Sequence, residues 1–133
     1  MIKTGLLFLC SVLLFLNSCR RAGNECNGVA CTEEFRSIGV QLKTPTDSFY
    51  VPQKVQVITD KGKLLNEESK AGSDSLYTLV DDSHIADIRL NVNRTFNIKI
   101  FKANKVVKQQ TFVVRADCCH IEPVDVPAVI VVE

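Results

Sequence analysis

The chain has no tryptophan, two tyrosines and a single methionine, its first residue. A domain so poor in large amphipathic rings lacks the surface on which sugars or bases usually stack. Charge of one sign is also missing. The formal net charge is +1 at pH 7, which offers nucleic acid no basic footprint and anionic lipid no general attraction. Catalytic signatures are absent too: there is no Gly-x-Ser-x-Gly, no His-Glu-x-x-His and no glycine-rich loop to cradle a phosphate. A Ser-His-Asp triad can be drawn on paper from almost any chain, and nothing here singles out one serine. No cofactor is implied, and the reading is of a non-enzyme. No apolar run reaches the roughly 18–20 residues that cross a bilayer as a helix.

What is present begins with a short apolar run. Behind Lys3, Gly5 to Leu16 is almost unbroken in its apolar character over twelve residues, the layout of a secretory signal. It ends in Leu16-Asn17-Ser18-Cys19, which resembles the lipobox of bacterial lipoproteins. That resemblance implies that residues 1–18 are a signal peptide that is cut away and that the Cys19 thiol carries diacylglycerol. The lipidated Cys19, as the new amino terminus, then anchors the protein to the membrane. The remaining 115 residues hold fifteen basic and fifteen acidic side chains, enough for one core and not two. Residues 19–30 read as the lipidated cysteine and a polar tether, and residues 31–133 as the folded domain. Arg20 and Arg21 stand where some surface-exported lipoproteins carry an acidic run, which favours a periplasm-facing anchor in the outer membrane.

The folded part reads as short strands. Ile38, Val40 and Leu42 alternate with Gly39, Gln41 and Lys43, the period-two pattern of a strand with one buried face. Phe35 is out of phase with that set, which places a bulge near Ser37. Val55, Val57 and Thr59 make a second strand, Leu64-Leu65 a short third and Leu76 to Val80 a fourth. Asn66 to Ser75 reads as an exposed loop, Asp81-Asp82-Ser83-His84 as a solvated turn, and Ile85 to Leu90 as irregular. Phe96, Ile98 and Ile100 face one side. After the turn Lys102-Ala103-Asn104-Lys105, whose Asn104 suits a left-handed position, Phe112, Val114 and Ala116 return on one face. Ala128 to Val132 is continuously apolar and reads as a strand buried on both faces. About seven strands without a long helix predict an all-β sandwich.

Once Cys10 leaves with the signal and Cys19 carries lipid, four cysteines remain: Cys26, Cys31, Cys118 and Cys119. In an exported domain an even set reads first as disulfides. Cys118 and Cys119 do not readily bond to each other, because adjacent Cα atoms about 3.8 Å apart fall below the disulfide range. If strand phase continues from Phe112, Val114 and Ala116, Cys118 faces the core and Cys119 faces out. The expected pairing is therefore Cys31 with Cys118 and Cys26 with Cys119, with the crossed pairing as the alternative. The same four sulfurs with His120 could in principle ligate a metal, although their spacing is not that of zinc knuckles. His120 otherwise reads as a satisfied loop histidine.

Cys26-x4-Cys31, Glu34-Phe35-Arg36-Ser37-Ile38 and Ala116-Asp117-Cys118-Cys119-His120 together resemble a group of small bacterial lipoproteins. Their domain is similar to transthyretin-like or carboxypeptidase-regulatory-like sandwiches. The resemblance implies a fold and an envelope location and brings no catalytic residues. Asp74-Ser75-Leu76 resembles the acceptor of a bacterial envelope O-glycosylation system, with Ser75 as the acceptor. Asn93-Arg94-Thr95 fits the N-glycan pattern, which seldom applies in a bacterium. The expectation is a lipid-anchored, non-catalytic binding or structural module with an envelope protein or glycan as partner. The alternative is a thiol-redox or metal protein that uses the Cys118-Cys119-His120 corner. The anchor is directly testable. The protein is expected to fractionate with membranes and to be released by detergent, and Cys19→Ala to leave it soluble or unprocessed, since several acyl chains are needed for stable attachment. A Cys19→Ala protein that pellets with membranes at the wild-type level removes the anchor reading.

Overall fold

The computed structural model describes residues 26–72 and 75–133. The signal segment, Cys19 and Asp74 lie outside the described residues. Two compact units are present, with Cys31–Glu133 forming the larger. Within the first, the described residues 26–30 make a turn in which Cys26 C=O accepts Val29 N–H at 3.3 Å, and Gly28 takes a φ of 80°.

The larger unit is an all-β sandwich of eight strands: β1 Ser37–Lys43, β2 Lys54–Thr59, β3 Leu64–Glu68, β4 Leu76–Asp81, β5 Arg94–Lys102, β6 Lys105–Ala116, β7 Ile121–Asp125 and β8 Val129–Val131. One sheet has the order β4-β1-β8 and the other β3-β2-β5-β6-β7. The period-two sets named from the sequence are the core. Val40, Val55, Val57, Ile98, Ile100 and Val114 are at most 2% exposed, because alternate residues of each sheet point into the space between the two layers. Phe96 and Phe112 lie directly opposite each other on β5 and β6, with ring centroids 5.6 Å apart. Such a tilted pair adds to the apolar burial of both rings. The β5–β6 hairpin turns through Ala103 and Asn104, both in the left-handed region at φ 48° and 61°, the geometry that matches strand twist in a two-residue hairpin.

The expected count of about seven strands is met by eight among the described residues; Pro123 reads as a breaker but is accommodated in β7, an edge strand that pairs on one side only. Three expectations need correction. The loop expected from Asn66 starts later, since β3 runs to Glu68. The run near the C-terminus is not buried on both faces. In β8, Ile130 is 1% exposed but Val129 and Val131 are 40% and 45%, because a two-layer sandwich covers each sheet on one face only. The irregularity expected near Ser37 is present between Ile38 and Gly39, and Phe35 precedes the strand, exposed. Finally, the expected irregular stretch contains a 3-10 helix, Asp82–Asp87, capped by Asp81, whose side chain accepts Ser83 N–H at 2.9 Å. Among the described residues no helix is long and apolar enough to cross a membrane.

Truncating the centre of the aromatic pair should be the severest single core change. Phe112→Ala is expected to lower the unfolding free energy by about 3–5 kcal/mol, read as a fall in the urea midpoint. A loss within experimental error would show that the Phe96–Phe112 contact is not central to the core.

Candidate functional site

Chemistry-bearing residues from distant parts of the chain meet at the start of β1. β6 ends at Ala116, and Asp117 turns the chain: its Oδ1 accepts the N–H groups of Cys119 and His120, each at 2.7 Å, and its N–H donates to His120 C=O at 3.0 Å. This Asx-type turn stops the strand alternation before the cysteines are reached, so the phase argument for their direction fails. Cys31 is bonded to Cys119, with Cα atoms 5.3 Å apart, which overturns the expected pairings of Cys31 with Cys118 and Cys26 with Cys119. Cys26 and Cys118 are disulfide-bonded as well. Two disulfides are the bonding state of an oxidising, extracytoplasmic compartment.

His120 is buried beside this bond, 7% exposed. Its Nδ1 lies 2.8 Å from Asp82 Oδ2 and its Nε2 lies 2.9 Å from Thr32 Oγ1. An ionised carboxylate only accepts, so Nδ1 carries the proton, and in the neutral ring Nε2 accepts from the Thr32 hydroxyl. His120 is thus the satisfied histidine expected from the sequence. Asp82 is the correction: the expected solvated turn holds a carboxylate whose side chain is 9% exposed. Its Oδ2 also accepts Arg36 N–H at 2.8 Å, and its Oδ1 accepts Ile121 N–H at 2.9 Å.

Burial by itself would raise the Asp82 pKa. The hydrogen bonds from Arg36 N–H, the His120 ring and Ile121 N–H outweigh it and hold the carboxyl below its usual value. Asp117 is also lowered, chiefly by the N–H groups of Cys119 and His120. Hydroxyl, imidazole and carboxylate stand in the order used for acyl transfer, but here the carboxylate is shared with the backbone of two other segments and the ring is sealed from solvent. The arrangement ties together the lead-in to β1, the 3-10 helix and the start of β7.

Beside this clamp lies an open groove of about 580 Å³, walled by Glu34–Gly39 on one side and by Ile121, Pro123 and Val126–Ala128 on the other. It forms where β8 covers only the second half of β1, Gln41 to Lys43. The chain between β7 and β8 diverges around Val126 and Pro127, leaving the first half of β1 facing space. Arg36 Nη2 and Glu34 Oε2 are 3.5 Å apart, so the charges at its rim offset each other.

Of the other residues named from the sequence, Ser75 precedes β4 at a φ of 58°, half-buried. Among the described residues no group of three or more His, Cys, Asp or Glu side chains is placed to hold a metal ion. The cysteines are disulfides rather than thiolates, the form a metal needs. Thr32, Asp82 and Asp117 were missed as site residues. Asp117, three residues before His120, carried an Asx-turn signal, whereas the link between Asp82 and His120 spans 38 residues and left no local trace. Comparison with protein-family models, with curated proteins and with solved structures finds no match to this chain.

Two measurements check the clamp. Asp82→Asn removes the charge that three donors share and is expected to cost about 1.5–3 kcal/mol at neutral pH. The native pKa values of Asp82 and Asp117 lie below their unfolded values, so their contribution is complete above about pH 4. It is lost as pH falls through the native values. Urea midpoints should therefore drop at acid pH in the wild type and drop less in Asp82→Asn; equal acid slopes would remove Asp82 from the account. Partial reduction with alkylation and mass spectrometry should recover Cys31 linked to Cys119. With a sequence separation of 88, chain entropy sets an upper figure of about 4–5 kcal/mol for this bond.

Proposed function

We propose that this chain is a lipid-anchored, non-catalytic binding module of the bacterial cell envelope. In this reading Cys19 carries the lipid, residues 20–30 form the tether, and the sandwich presents the groove beside β1 to an envelope partner. The observation that carries the binding role is the groove itself: Ile38, Ile121 and Val126 line it together with polar groups, and a disulfide and the Asp82 carboxylate brace one wall. Preorganisation of that kind lowers the ordering cost of association.

The location rests on the lipobox resemblance and on the disulfides, which belong outside the cytoplasm. Arg20 and Arg21 favour an outer-membrane anchor facing the periplasm. The sandwich itself is in keeping with the transthyretin-like modules that the sequence resembles, and such folds host many functions. Ser75, at the entry to β4, is the acceptor proposed for an O-glycan, on the far side of the chain order from the groove wall.

A photo-crosslinking amino acid at position 126, introduced in growing cells, tests the reading. It should join the membrane-fractionating protein to a discrete envelope component, and the same probe at exposed Lys61 in the β2–β3 turn should not. Equal, diffuse labelling at both positions would remove the groove as a binding site.

A further inference from the structure

Among the described residues, the first half of β1 has no strand partner on the side away from β4. Arg36 turns both backbone groups toward the 3-10 helix: its N–H donates to Asp82 Oδ2 at 2.8 Å, and its C=O accepts Asp82 N–H at 3.0 Å. Gln41 turns the other way, its N–H donating to Ala128 C=O at 3.0 Å. Backbone groups along a strand alternate between its two sides. Between these two fixed points the alternation puts the N–H and C=O groups of Phe35, Ser37 and Gly39 on the side away from β4, toward the groove. No strand among the described residues pairs with that side of β1 before Gln41.

Other edges of the sandwich are protected. Glu68 accepts Thr78 N–H at 2.8 Å, and Asn66 donates to Thr78 C=O at 2.9 Å, so side chains of β3 cap the outer edge of β4. β7 contains Pro123, and β8 has only three residues. Proline, capping and shortness are the usual ways of closing an edge. The stretch from Phe35 to Gly39 has none of them. It is held extended by β4 on one side and, at its start, by the Cys31–Cys119 bond and Asp82, and among the described residues it has no strand on the other side before Gln41.

We propose that this edge takes an extended polypeptide segment of a partner protein as an added strand, in line with β8. Unpaired donors and acceptors at strand spacing are matched by another polypeptide backbone, and pockets beside the ladder read its alternate side chains. The groove walls mix polar and apolar groups and the rim charges are paired, so the segment recognised is of low charge, with apolar residues at the positions that meet Val126 and Pro127. A glycan would need aromatic platforms or free charged groups, and the groove walls carry a single aromatic ring, Phe35. This assignment rests on the reading of the groove as a binding site.

The test uses the full lipidated protein in detergent micelles and a random dodecapeptide library. A selected peptide should slow amide exchange at Ser37 and Gly39 by about tenfold or more at saturation. N-methylation of the peptide at alternate residues should weaken binding by at least about tenfold in one phase and leave it unchanged in the other. Peptides that protect Ile121 and Ala128 but not Ser37 or Gly39 overturn strand addition while leaving the groove as a binding site. Failure to select any peptide also overturns strand addition, and crosslinking from position 126 then judges the groove alone. Protection of Ser37 and Gly39 in a dimer without peptide gives the edge to a second copy of the chain and overturns the proposal as well.

Discussion

The Asp82 carboxylate, on a side chain 9% exposed, is the constraint on which this end of the sandwich depends. It accepts hydrogen bonds from Arg36 ahead of β1, from His120 after the Asp117 turn and from Ile121 at the start of β7. Three segments far apart in sequence, the lead-in to β1, the 3-10 helix that holds Asp82 and the adjacent pair His120-Ile121, are thereby fixed about one anion. A neutral side chain of the same size could not accept from all of them, and a carboxylate left there without donors would not stay ionised. The lowered Asp82 pKa expresses the same balance: the hydrogen bonds exceed the cost of burial.

From that point the groove follows. With Arg36 held by both backbone groups and Cys31 tied to Cys119, the lead-in to β1 has no need of a second strand to stay extended. β8 can therefore join β1 late, at Gln41, and the chain between β7 and β8 can swing out around Pro127. Elsewhere the sandwich closes its sides with side chains, as Glu68 and Asn66 do for Thr78. The stretch left open is braced at its start by the Cys31–Cys119 bond and by the Asp82 hydrogen bonds.

Residue patterns made the layers of the fold legible. Phe96, Ile98, Ile100, Phe112, Val114 and Ala116 were placed on the buried face by alternation alone, and they are buried, because side-chain direction in a strand repeats every two residues whatever the tertiary context. The hairpin turn at Ala103-Asn104 is local in the same way. His120 as a satisfied histidine was also legible, since a buried imidazole almost always finds partners. Pro123 misled because a breaker in a central strand is permissible in an edge strand, and edge status is a property of the sheet.

The chain by itself thus determined that the fold is all-β, which residues make its core and that Cys26, Cys31, Cys118 and Cys119 form disulfides. Each of these rests on local periodicity, on turn chemistry or on composition. Tertiary structure alone decided that Cys31 bonds Cys119, that Asp82 is buried among distant donors, and that β8 leaves the first half of β1 uncovered. The pairing turned on the Asp117 side chain capturing the N–H groups of Cys119 and His120, which ended the strand at Ala116, two residues before the alternation could reach Cys118. The groove turned on where two strands meet, and partners that lie 38 to 88 residues apart leave no periodic mark in a single sequence.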